Sequence, residues 1–192
     1  MFEGVNEKLK RAEYFLNNLK ALADEAGGFA HIKKQQEMRA NLDGFFFEVI
    51  SAKDFFLQGI NDVYGLGLKK NSATDIGQLK CQLGLIYLRR TDSDAKSLSN
   101  ALKAAEAIEG LISRKNSWLW IINTYRNSAT HRELLHFGHV VIPRENIKTY
   151  LFKDPEDGLQ GNADIEVIPY CEQSLAQMKE LLERLYSELE LE

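Results

Sequence analysis

Two cysteines, three prolines and no long apolar run remove several protein classes at the outset. Cys81 and Cys171 lie far apart, form no C-x-x-C spacing and follow no signal-like start, because Met1-Phe2-Glu3-Gly4 gives way to charged residues. That pattern argues against a disulfide-built scaffold and predicts a cytoplasmic protein whose two thiols are reduced, buried small hydrophobes. Scarcity of proline permits long uninterrupted helices. No apolar stretch approaches the roughly 20 residues that cross a bilayer, so no membrane span is expected. Charge of one sign is also missing: 24 Lys and Arg stand against 28 Asp and Glu, for a net charge of -4. Non-specific affinity for a polyanion comes from many cationic contacts, so this balance excludes a bulk nucleic-acid binder and leaves room only for a local basic site.

What the chain does have is helical periodicity. With 192 residues, 44% hydrophobic and 27% charged, it holds enough material for a single domain with a substantial core. In residues 6–25, Leu9, Ala12, Phe15, Leu16, Leu19, Leu22 and Ala23 recur at three- and four-residue intervals, predicting an amphipathic helix closed by Gly27-Gly28. A longer helix over residues 31–64 is apolar around much of its circumference and should be central. Its Gly44 and Gly59 indicate a bend or close helix packing. Thr74 or Asp75 caps a third helix carrying Leu79, Leu83, Ile86, Tyr87 and Leu88. Thr91-Asp92-Ser93-Asp94 caps a fourth, through Leu98, Leu102, Ala105, Ile108 and Leu111, ending near Gly110 or at Lys115. Asn116-Ser117 caps a fifth, which carries Trp118, Leu119, Ile121, Ile122 and Tyr125.

Beyond Phe137-Gly138 the pattern changes. Val140-Val141-Ile142, Thr149-Tyr150-Leu151-Phe152 and Ile165-Glu166-Val167-Ile168 are β-prone, and residues 154–162 between the last two are rich in turn formers, which predicts a small antiparallel hairpin. A final helix is expected over residues 171–189. The predicted fold class is therefore mainly α: an up-and-down bundle of five to six helices with a small antiparallel β-hairpin before the last one. Residues 1–28 form the first helix of this single domain, 29–137 its core, 138–170 the β-prone elaboration and 171–192 the closing helix.

The fifth helix ends in Tyr125-Arg126-Asn127-Ser128-Ala129-Thr130-His131. Arginine offers a permanent charge and a forked donor set suited to phosphate oxygens, while histidine titrates near neutrality and can move a proton. If the helix continues, Asn127 and His131 share a face, whereas Arg126 is turned about 140° from His131 at 100° per residue. Asn127 then reaches the imidazole and orients it. Arg126 meets the same phosphate only if the helix end unwinds or a second copy of the chain supplies one of the groups.

Arg126, Asn127 and His131 resemble the R-x4-6-H signature of the HEPN superfamily, in which a polar residue often follows the arginine on a late bundle helix, downstream of a helix rich in aromatics and small residues such as residues 41–64. The resemblance covers residues 42–135. It implies a metal-independent endoribonuclease, in toxin or antiviral-defence settings, with a composite site at a homodimer interface and no cofactor. His131 would act as general base or acid, Arg126 would bind the scissile phosphate and Asn127 would orient. The product would be a 2′,3′-cyclic phosphate, DNA would be inert, and an antitoxin or regulatory protein is an expected partner. Many members have lost catalysis and act as interaction or RNA-binding modules. Tyr125 and Glu133 are secondary candidates. Glu133 stands where a toxin branch of the family has tyrosine, and its carboxylate would raise the pKa of His131.

Other residues carry plainer readings. His131, His136 and His139 with Glu133 suggest a metal, but a separation of five diverges on a helix, so none is expected to bind one. Arg89-Arg90, Arg114-Lys115 and Arg132 are read as helix-end charges rather than an RNA rim. Phe45-Phe46-Phe47 and Trp118-Leu119-Trp120 are read as core or dimer packing rather than base-stacking surfaces.

Overall fold

The computed structural model describes residues 2–24, 32–88, 94–130, 137–140, 148–152 and 163–189. Helix α1 (Glu3–Asp24) buries Leu9, Ala12, Leu16, Leu19 and Leu22 of the predicted stripe, and Val5 besides, against the core that includes α2 (Ile32–Val63), while Phe15 and Ala23 of the stripe are partly buried. The two run antiparallel. Gly4 lies under the Phe55 ring, Lys8 Nζ stands 2.9 Å from Glu48 Oε2, Phe15 covers Gly44, and Asn18 donates to Asn41 Oδ1 at 3.1 Å. Of the two explanations offered by Gly44 and Gly59, the second is observed: a Cβ added at Gly44 would fall 2.6 Å from the Phe15 ring, and one at Gly59 would strike Phe2. Glycine is where the aromatic rings of α1 come closest to α2.

A single helical turn, α3 (Lys70–Ala73), leads to α4 (Ile76–Tyr87), whose N-cap is Asp75, accepting from the Gln78 amide at 3.1 Å. Helix α5 (Asp94–Ser113) runs past Gly110. Asn116 then takes a left-handed φ of 66°, a conformation asparagine tolerates better than most residues. Ser117 caps α6 (Trp118–Thr130): its hydroxyl accepts from the Trp120 amide at 3.0 Å and donates to the Leu111 carbonyl. Residues 89–93, which hold most of the Thr91–Asp94 cap signal and Arg89-Arg90, lie outside the described residues.

Strands β1 (Phe137–Val140), β2 (Lys148–Phe152) and β3 (Ala163–Glu166) form an antiparallel sheet in the order β1-β2-β3, with Phe137 opposite Leu151 and Tyr150 opposite Glu166. The predicted hairpin is its β2-β3 half. The last helix, α7 (Val167–Glu188), begins four residues before the expected Cys171. Val167 and Ile168 look like strand residues by type, but Pro169 falls in the first helical turn, where a missing N–H costs nothing. Helix α7 packs antiparallel to α1, with Lys20 2.6 Å from Glu172, Lys179 3.5 Å from Glu13, and the Phe2 and Tyr186 rings edge to face at 5.3 Å.

The core is continuous through α1, α2, α4, α5, α6 and α7, with Phe45, Phe46, Phe56 and Tyr125 among its largest buried side chains. The molecule is thus a mainly α up-and-down bundle. Both cysteines are free. Cys171 is buried as expected, whereas Cys81 is exposed, because it lies two residues, or 200° of helix, from Leu79, which faces the core. Tyr87 and Leu88 are likewise exposed at the end of α4 rather than packed. Among the described residues no helix is long and apolar enough to cross a membrane.

Candidate functional site

Tyr125, Arg126 and Asn127 lie within α6, and their placement starts from the apolar face of that helix. Leu119, Ile122 and Tyr125 are buried, and the Tyr125 ring stacks on Phe46 of α2 with centroids 5.4 Å apart and planes 18° apart. This stack fixes the rotation of α6 and brings Arg126 beside α2. The Arg126 guanidinium donates from Nη1 to Asn127 Oδ1 at 3.2 Å, and its Nη2 stands 3.9 Å from Asp54 Oδ2. Asp54 in turn lies 2.6 Å from Lys53 Nζ, whose side chain is buried.

A second ionic group lies one to two turns earlier on α2. Glu48 is held by Lys8 at 2.9 Å and approached by Arg11 at 3.9 Å. The two groups together place four cations, Lys8, Arg11, Lys53 and Arg126, around two carboxylates, Glu48 and Asp54, in a chain whose net charge is -4. Cationic side chains therefore gather beside Arg126, two of them, Lys8 and Lys53, largely buried. Asp54, Lys53 and Glu48 were not singled out from sequence. Their only signal there is that they interrupt the apolar run from Leu42 to Ile60, where an unpaired charge would be costly to bury.

The structure brings Arg126 and Asn127 together and seats Tyr125 beneath them. His131 and Glu133 lie outside the described residues, as do Arg132 and His136. For His139 the backbone is described, in β1. Among the described residues no three His, Cys, Asp or Glu side chains gather as a metal site. Trp118 and Trp120 pack against the core, with Lys115 Nζ 5.8 Å from the Trp120 ring centre. The Phe45-Phe46-Phe47 run divides: the first two rings are core, while Phe47 is 48% exposed.

Fold and site together define a helical bundle whose sixth helix presents a half-buried arginine, held by an adjacent asparagine and a carboxylate from the central helix. Comparison with protein-family models, curated proteins and solved structures gives no match.

Proposed function

We propose that the chain is a metal-independent endoribonuclease of HEPN type, with Arg126, Asn127 and His131 of two protomers forming a composite site at a homodimer interface. The observation that carries this reading is the fixed Arg126–Asn127 pair on a helix that remains regular through Thr130. Regular phase supports a second protomer over an unwound helix end: a residue four positions beyond Asn127 returns to its face, whereas one five beyond Arg126 is about 140° away.

In this mechanism His131 removes the 2′-OH proton of the ribose, and the resulting oxygen attacks the adjacent phosphorus. The bond to the 5′-oxygen breaks as that oxygen takes a proton from the His131 imidazolium of the second protomer, leaving a 2′,3′-cyclic phosphate. Arg126 exchanges Asp54 for the scissile phosphate and stabilises the charge developing on its oxygens. Asn127, whose Oδ1 accepts from Arg126, uses the second lone pair of that oxygen to accept the imidazole N–H, which leaves the other ring nitrogen free as the base. Tyr125 holds the helix in place. DNA lacks the attacking hydroxyl and is inert. A cytoplasmic toxin or defence role, restrained by an antitoxin or regulatory protein, accords with such an activity.

The test is cleavage of single-stranded RNA in the presence of EDTA. His131→Ala is expected to slow it by about 10²–10⁴-fold, the range for a lost general acid or base, and Arg126→Ala by about 10²–10³-fold, the range for a lost donor to developing charge. Cleavage that survives both substitutions overturns the proposal. The Asp54–Arg126 ion pair also favours a second reading, a non-catalytic interaction or RNA-binding module in which Arg126 fastens α6 to α2. That reading predicts no cleavage by the wild type, and a lower melting temperature for Arg126→Ala.

A further inference from the structure

We infer that Phe47 and Phe55, with Lys8 between them and Arg11 alongside, form a stacking platform for the bases of a single RNA strand leading to Arg126. The inference rests on the ribonuclease reading. Both rings are large apolar groups left partly in solvent on the central helix, Phe47 at 48% and Phe55 at 39% exposure. Lys8 Nζ stands 5.5 Å from the centre of one and 5.6 Å from the centre of the other, so one ammonium links both rings. Phe47 and Asp54 are seven residues apart and share a stripe of α2, with Phe55 next to Asp54. Since Asp54 holds Arg126, the platform and the arginine belong to one surface.

Charge identifies the occupant. In the Arg11–Glu48 and Arg126–Asp54 pairs the cation is the more exposed partner, 61% against 9% and 29% against 18%, while the exposed Glu7 a turn before Arg11 is paired with Lys10. Outward cations interleaved with aromatic faces suit a strand that offers phosphates and bases in alternation.

Binding can be measured apart from cleavage with a short fluorescent oligouridine whose 2′-O-methyl groups remove the attacking hydroxyl. Phe47→Ala is expected to weaken its Kd roughly tenfold, and Phe55→Leu, which keeps an apolar cover over Gly4, to weaken it several-fold, as loss of a stacked base implies. Phe47→Trp should restore binding, and the melting temperature of Phe47→Ala should match the wild type. Unchanged affinity in both variants, or no binding by the wild type, overturns the platform. A dimer that dissociates in Phe47→Ala while RNA affinity stays constant also overturns it and assigns the patch to a second copy. Ring-dependent binding with no cleavage of ordinary RNA would uphold the platform and sink the ribonuclease reading alone.

Discussion

Asp43, one turn after Arg39 on α2, carries a carboxyl raised above its ordinary value, because burial disfavours the carboxylate more than the Arg39 guanidinium favours it. A folded-state pKa above the unfolded one contributes stability below the unfolded value, near 3.8, and loses it as pH rises through the folded value. At neutral pH the ionised Asp43 is therefore a cost. Asp43→Asn is expected to raise the melting temperature at pH 7, with the gain disappearing below about pH 4; a gain that persists under acid would refute this account. Single residues were unevenly legible. Arg126 and Asn127 stand out because they are adjacent and chemically distinctive. Asp54 does not, since its meaning comes from a contact between α2 and α6 that no local pattern encodes. The run Phe45-Phe46-Phe47 suggests packing as a whole, yet successive residues on a helix are 100° apart, so three consecutive phenylalanines cannot all face inward.

The glycines of the helices divide into two physical kinds. At Gly44 a side chain would meet the Phe15 ring, whereas at Gly110 on α5 nothing stands within 4 Å of an added Cβ. Gly44→Ala is expected to destabilise the fold by about 1–3 kcal/mol through overpacking. Gly110→Ala should stabilise it by about 0.5–1 kcal/mol, the difference in helix propensity. Urea unfolding of the two variants provides the comparison, and equal shifts in the same direction would disprove the distinction. Helices α1, α2, α4 and α6 could be read from periodicity and from the caps Asp75 and Ser117, because both signals act within a few residues. The start of α7 could not. Residue type favours a strand at Val167-Ile168, and the register in which β3 pairs with β2 leaves them to the helix instead.

For the molecule as a whole, the two thiols report on burial. Cys171 is fully buried and its thiol is pushed far above the ordinary range by desolvation, while Cys81 is exposed on α4. Ellman's reagent should therefore titrate one thiol per chain in native buffer and two in denaturant. Two fast-reacting thiols in native buffer would contradict the packing of α7. The bundle class was legible because it rests on apolar spacing, summed over whole helices. The ionic cluster beside Arg126 was hidden, since an overall charge of -4 gives no hint that four cations gather around two carboxylates. The antiparallel seating of α7 on α1 has a further consequence, for the moment of synthesis. A ribosome that has just finished α6 has made Arg126 and Asn127, but the wall that covers α1 has not yet been translated. The apolar stripe of α1 stays partly uncovered until residues 167–189 have left the exit tunnel and α7 has docked on it.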